Sequence, residues 1–264
     1  MHEMSIREIQ VATKELLKSF DTLCAKLNLQ YWLMFGSLLG AVRHKGFIPW
    51  DDDLDVGMFH EDYKKLCDYL IQNESEFELH NQDTQINCFY NISRVCDKKH
   101  KLVFNNRDYT SGIFLDIYDF EGLGGEKDIA YWDKRFSKYN SWRKGIDLCT
   151  IKSLFYGNSL INKVLNIPLL LCAKLFGKNY FIKKFNNYKH FNLATSIYVG
   201  IPCWEEVRYK KSLFKSFIKV PFEDIVVAIP EQYDTLLTIM YGDYMQLPPK
   251  DKRIPNHHYR AYRL

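Results

Sequence analysis

The sequence predicts an α+β fold, a mixed sheet flanked by helices. Three observations predict it. Strand-like and helix-like runs mix without regular β-α alternation, which disfavours a doubly wound sheet. Strand-like runs crowd the stretch from Phe77 to Tyr118. The region from about residue 126 to 189 reads as mostly helical.

The elements follow in order. Ser5-Ile6-Arg7-Glu8 has the form of a capping box. Apolar residues then recur at Ile9, Ala12, Leu16, Phe20, Leu23 and Leu27, in steps of three and four. That spacing predicts an amphipathic helix ending near Asn28. Tyr31 to Phe35 is an apolar run read as a buried strand, with Gly36-Ser37 directly after it and a helix from Leu38 to about His44. Gly46 to Trp50 is a turn. Asp53 to Met58 alternates acidic and apolar residues and reads as a strand; Glu61 to Ile71 reads as a helix. Strands are expected at Phe77–His80, Asn87–Val95, Lys101–Phe104 and Ile113–Tyr118. Pro230 to Tyr241 predicts a last helix, and the tail from Leu247 reads as loop.

Composition narrows the class. The 264 residues are 47% hydrophobic and 26% charged, ordinary values for a globular chain with a real core. Aromatics reach 16%, which points first to a heavy core. A net charge of +4 does not suit a nucleic-acid binder, and none is expected as partner. The seven cysteines include no C-x-x-C pair and no zinc-site spacing. Met1 to Gln10 lacks the apolar segment of a secretory signal. The expectation is a cytoplasmic protein with reduced thiols.

Charge is unevenly spread. Between Asp147 and Glu205 there are seven lysines and no Asp or Glu, so the rest of the chain carries −3 against the total of +4. Ile161 to Phe176 is apolar but interrupted by Lys163, Pro168 and Lys174, too short and too basic to span a bilayer. Two readings stay open: helices lying on an anionic membrane surface, or a helical subdomain with a solvated basic face. The first makes residues 148–204 a peripheral membrane contact at the inner face of the cytoplasmic membrane.

The densest chemical signal is Trp50-Asp51-Asp52-Asp53-Leu54-Asp55-Val56, with four carboxylates in five residues. On a strand, Asp53 and Asp55 share a face while Leu54 and Val56 pack behind them. Two carboxylates so placed suit Mg²⁺ or Mn²⁺; a solvated acidic turn is the alternative. Gly36-Ser37, at a strand-to-helix junction, suits a phosphate. Arg43 and Lys45 lie between that junction and the acidic run, and Arg94 lies in a strand, so all three are candidate phosphate contacts. Asp116 is a carboxylate in the apolar run Ile113 to Tyr118 and needs a partner: a shared metal or a structural hydrogen bond.

The 26 residues from Tyr31 to Val56 closely resemble the signature of the LicD family, which includes bacterial phosphocholine transferases and is related to fukutin-related protein. Phe114-Leu115-Asp116-Ile117, Pro230 to Met245, and Leu247-Pro248-Pro249 with Arg253 and His257 also resemble that family; residues 125–195 match it loosely. The resemblance implies a nucleotidyltransferase-like fold. It implies that Gly36 and Ser37 hold donor phosphates and that Asp53, Asp55 and Asp116 bind one or two divalent metals. Asp119 is a further candidate, although the family's second Asp stands at a slightly different offset. The implied catalytic domain comprises 1–124 and 196–264, with 125–195 a helical basic insertion.

The implied activity moves a phospho-alcohol, foremost phosphocholine from CDP-choline, onto a sugar hydroxyl of a teichoic-acid or lipopolysaccharide precursor and releases CMP. Another CDP-alcohol donor, CDP-glycerol or CDP-ribitol, nucleotidyl transfer from an NTP, and a non-catalytic scaffold role remain alternatives. The human relatives' zinc-binding insertion has a cysteine pattern that this chain lacks, so no zinc is expected. A choline headgroup needs an aromatic cage, for which Tyr90, Trp132, Trp142 and Trp204 are available.

Overall fold

The computed structural model describes residues 2–85, 87–105, 107–151, 160–202, 204, 206–254 and 259–264. Helix α1 (Ile6–Leu27) opens through the capping box: the Ser5 N–H donates to Glu8 Oε2 at 2.8 Å. It closes at Asn28, whose φ is 52°. Its inner face, including Leu16, Leu17, Phe20 and Cys24, enters the core. Strand β1 (Trp32–Leu33) has only two residues. Helix α2 (Phe35–His44) starts earlier than expected and takes in Gly36 and Ser37, because the Leu38 N–H already reaches the Met34 carbonyl at 3.1 Å.

Strand β2 (Asp55–Phe59) leads directly into α3 (His60–Gln72). Strands β3 (Phe77–His80), β4 (Ser93–Asp97), β5 (His100–Phe104), β6 (Thr110–Ser111) and β7 (Phe114–Gly122) follow. Helices α4 (Ile129–Cys149), α5 (Leu160–Phe176) and α6 (Lys178–Asn186) occupy the region read as helical. The remaining elements are β8 (Tyr198–Gly200), β9 (Tyr209–Lys210), β10 (Phe217–Phe222), β11 (Ile225–Pro230), α7 (Tyr233–Tyr241) and β12 (Tyr259–Arg263).

The main sheet runs β1-β2-β7-β4-β3, with β8 and β9 continuing from the far end of β7. β2 and β7 are parallel and the other pairs antiparallel, so the sheet is mixed, as expected. β12-β5-β6 form a second sheet and β10-β11 a hairpin.

Three expectations are corrected. Of Asn87 to Val95 only the end is strand, because pairing with β7 begins at Ser93. Pro230 closes β11 instead of opening α7. The tail read as loop returns as a strand, because Tyr259 to Arg263 pair antiparallel with β5.

The aromatic excess is largely core. Trp32 is fully buried, with the rings of Phe59, Phe120, Phe214 and Phe217 at 4.9–5.2 Å. A second, smaller core holds Leu123, Trp132, Phe136, Tyr139, Ile146 and Phe185 under the helical segment. Among the described residues no helix is long and apolar enough to cross a membrane.

Gly57 is where β2 lets Trp32 in. A Cβ there would meet Trp32 Nε1 at 2.6 Å and Phe120 Cε2 at 2.9 Å. Gly57→Ala is therefore expected to destabilise the fold by about 1–3 kcal/mol through overpacking, read as a lower melting temperature by circular dichroism.

Candidate functional site

Strand register assembles the site. Asp55 on β2 pairs with Asp116 on β7, and Asp116 pairs with Arg94 on β4. Residues opposite one another on neighbouring strands point to the same face, about 4.8 Å apart. Two acids and one base therefore stand in a row on one face of the sheet. Asp53 precedes β2 and is not on the strand as expected. Its carboxylate nevertheless reaches the row: oxygens of Asp53, Asp55 and Asp116 all lie within 4.8 Å of one another. Asp51, Asp52 and Asp53 make a second group at the same spacing.

Arg94 has a different place from the phosphate contact expected. It is buried, and its Nε donates to Asp116 Oδ1 at 2.6 Å and its Nη2 to Oδ2 at 3.3 Å. The guanidinium lies between the rings of Tyr90 (3.3 Å) and Phe114 (3.7 Å). Asp116 thus finds its partner in a structural ion pair. An ionised carboxylate has about four lone-pair sites, so the pair leaves room for a further ligand.

Asp55 is held from both ends. Its backbone N–H donates to Ser37 Oγ at 2.7 Å, and the Tyr118 phenol hydrogen-bonds its carboxylate. Burial pushes its pKa well above the usual carboxylate range, and Asp53, Asp116 and Asp51 push it further; the Tyr118 hydrogen bond opposes this only in part. Tyr259 on β12 donates to Asp52 Oδ2 at 2.8 Å. The sequence reading missed Tyr118 and Tyr259. Tyr118 stands two residues after Asp116 on a strand, a spacing that signals a shared face. Tyr259 has no such signal, since its place depends on a pairing with distant β5.

The first turn of α2 packs on these carboxylates. A Cβ on Gly36 would lie 2.8 Å from Asp51 Oδ2 and 3.8 Å from Asp55 Oδ2, so any larger residue would push the Asp51 carboxylate aside. The unpaired N–H groups of a helix N-terminus favour anions. Phe35 enters the helix with φ 48°, its ring 4.7 Å from that of Tyr118.

Arg43 and Lys45 do not join Gly36 and Ser37. At 1.5 Å per residue, Lys45 lies roughly 13 Å further along the helix axis from Gly36. Arg43 Nη1 donates to the Tyr244 carbonyl at 2.7 Å. With Trp50, Pro248, Pro249 and Arg253 it lines a separate cavity of about 780 Å³. Lys45 is exposed at the helix C-cap. His257 lies outside the described residues.

Asp119 faces away from Asp116 and pairs with His60. Of the aromatic residues considered for a cage, Tyr90 and Trp204 line one cavity of about 340 Å³. Trp132 is buried with its indole N–H on the Leu123 carbonyl, and Trp142 packs against the second core.

Two buried carboxylates, Asp55 and Asp116, and the half-buried Asp53, with converging oxygens, fit a hard divalent cation such as Mg²⁺ or Mn²⁺. Fold and site together define an α+β protein with a buried acidic centre, suited to a cation, beside a helix N-terminus. The family described as LicD/FKTN/FKRP, nucleotidyltransferase domain, matches residues 28–147. The whole chain is 30% identical to the lipopolysaccharide cholinephosphotransferase LicD of Haemophilus influenzae, over 276 residues that cover 100% of both proteins. It is 59% identical over 35 residues to human ribitol 5-phosphate transferase FKRP, 13% of this chain and 7% of that protein. Human ribitol-5-phosphate transferase FKTN is 30% identical over 109 residues, 41% of this chain and 21% of that one. The chain belongs to the LicD family.

The repulsion around Asp55 has a measurable sign. Its folded-state pKa is raised above the unfolded value of about 3.9, so its contribution to stability is present below that pH and lost as pH rises. In metal-free protein, Asp55→Asn is expected to raise the melting temperature near neutral pH, by about 2–4 °C per kcal/mol of relieved repulsion. The gain fades as acid protonates Asp55 in the wild type. Scanning calorimetry across pH checks this; a variant less stable than wild type at neutral pH contradicts it.

Proposed function

We propose that the protein transfers a phospho-alcohol from a CDP-activated donor to a sugar hydroxyl of a teichoic-acid or lipopolysaccharide precursor, releasing CMP. The observation that carries this reading is the convergence of Asp53, Asp55 and Asp116 within 4.8 Å. Phosphocholine from CDP-choline is the leading donor group, because the relative matched end to end is named a cholinephosphotransferase.

Asp53, Asp55 and Asp116 would hold Mg²⁺ or Mn²⁺, which when bound neutralises charge on the donor pyrophosphate as the bond to CMP breaks. The other roles belong to the chain's own residues. Arg94 positions Asp116 through two hydrogen bonds. Ser37 fixes the backbone at Asp55. The N–H groups of Gly36 and Ser37 face the donor phosphates. The acceptor hydroxyl attacks in line at the phosphorus bearing the alcohol. Of Asp116 and Asp53, Asp53 is the better proton acceptor: it is half-buried, and both oxygens of Asp116 already accept from Arg94.

One observation favours a second donor. Arg143 and Lys144 line the cavity shared by Tyr90 and Trp204, with the Arg143 guanidinium 4.6 Å from the Trp204 ring. The Trp204 ring is itself 5.5 Å from that of Tyr118. Asp147 also lines the cavity but is paired with Arg107, so the wall is net cationic; that disfavours a quaternary ammonium and suits a phosphate or an uncharged polyol, as in CDP-ribitol or CDP-glycerol.

In this reading residues 1–124 and 196–264 form the catalytic part, and 125–195 meet the inner membrane surface. On α5, Val164, Leu171 and Leu175 share one stripe and are 57%, 54% and 83% exposed. Lys174 is exposed beside them. An apolar stripe with basic flanks suits the headgroup boundary, where a lipid-carried acceptor would be met.

Two measurements test the proposal. Incubation with a panel of CDP-alcohols and Mg²⁺ or Mn²⁺ should release CMP; release of pyrophosphate from an NTP would mark nucleotidyl transfer instead. Asp53→Asn and Asp116→Asn should each lower CMP release about 100-fold or more, the scale of losing one preorganised charge. Near wild-type transfer by both folded variants overturns the mechanism. Separately, the chain should sediment with phosphatidylglycerol liposomes at low salt and be released as salt rises; no binding at low salt removes the membrane role.

A further inference from the structure

Strand β7 carries acids on both faces. Asp116 and Tyr118 face the centre described above. Asp119 and Glu121, again two residues apart, share the opposite face. His60 joins them from the start of α3, directly after β2. One His60 nitrogen and one oxygen each of Asp119 and Glu121 all lie within 4.8 Å of one another.

Three further observations point to a ligand. His190 Nδ1 is 3.0 Å from Glu121 Oε2, which brings a second imidazole to the group. All four side chains line one cavity of about 350 Å³. Asp119 Oδ1 is buried and has no hydrogen-bond partner among the described residues. Leaving such an atom unsatisfied is costly.

We propose that His60, Asp119 and Glu121, with His190 as fourth ligand, bind a divalent transition-metal ion at a site separate from the all-carboxylate centre. The donor chemistry separates the two. Imidazole nitrogens mixed with carboxylates suit Zn²⁺ and its neighbours, whereas carboxylates alone suit Mg²⁺ or Mn²⁺. The set contains no cysteine, unlike the insertion site of the human relatives. The ion would join β7, the β2–α3 junction and the segment after α6. It would therefore fasten the helical region to the sheet. The Tyr188 hydroxyl, which donates to Glu121 Oε1, orients that ligand from behind.

The test uses the full chain, stripped with a chelator and titrated with zinc alone by calorimetry, with metal content read by mass spectrometry. Wild type should bind zinc here, and the Asp53→Asn/Asp55→Asn double variant should keep that binding. His60→Gln/Glu121→Gln should lose the site. His190→Gln, at an exposed position, should weaken binding by about tenfold or more. Co²⁺ substitution should give visible bands that the His60→Gln/Glu121→Gln variant lacks. Zinc binding that survives both His60→Gln/Glu121→Gln and His190→Gln, or that disappears with Asp53→Asn/Asp55→Asn, overturns the proposal.

Discussion

The acidic face of the sheet depends on the Arg94–Asp116 pair. A buried charge pair is costly to desolvate, and removing one partner typically costs about 3–5 kcal/mol because the other is left alone. Arg94 meets that cost with two hydrogen bonds to Asp116 and with the ring faces of Tyr90 and Phe114. Asp116 is thereby fixed beside Asp55, although both are almost wholly covered. Without that cation, the central row of the sheet would set carboxylate against carboxylate with nothing built in to offset them.

Much of this was legible in local pattern. The capping box at Ser5, the three-four spacing of α1 and the stop at Asn28 all belong to one short stretch, and each appears as read. That Asp116 needs a partner follows from its apolar neighbours alone. Which partner it has does not, because Arg94 meets it through strand register, 22 positions away in sequence. The same limit hid β12, whose pairing with β5 joins the tail to the middle of the chain. Arg43 and Lys45 were read as neighbours of the acidic run because they are close in sequence. A straight helix carries them to its other end. The β10–β11 hairpin was missed for a different reason: its apolar runs lack a strong turn signal, and Glu223 takes the positive φ, 54°, that glycine more often supplies.

The helical region is built differently from the sheet. Its buried residues form small clusters of their own around Trp132 and Leu170. Tyr139 donates to the Trp204 carbonyl, and Arg107 reaches the Asp147 carbonyl at 2.8 Å. These polar links tie the region to the rim of the cavity that holds Arg143 and Lys144. The exposed apolar stripe of α5 and the Arg143–Lys144 wall of α4 thus belong to one helical region.

The alternation along β7 makes its alignment unusually consequential. Each acid faces its own side only while the strand keeps its phase, and a shift of one position would turn Asp116 inward to the helices and bring Asp119 out among the other aspartates. Nearby packing resists such a shift: an added Cβ at Gly112 would come 1.9 Å from the Asp97 carbonyl oxygen, so the chain enters β7 at a point that tolerates no larger residue. A single inserted or deleted residue between Gly112 and Gly122 would therefore disable both faces of the sheet together, even where hydrophobic content and strand propensity were preserved.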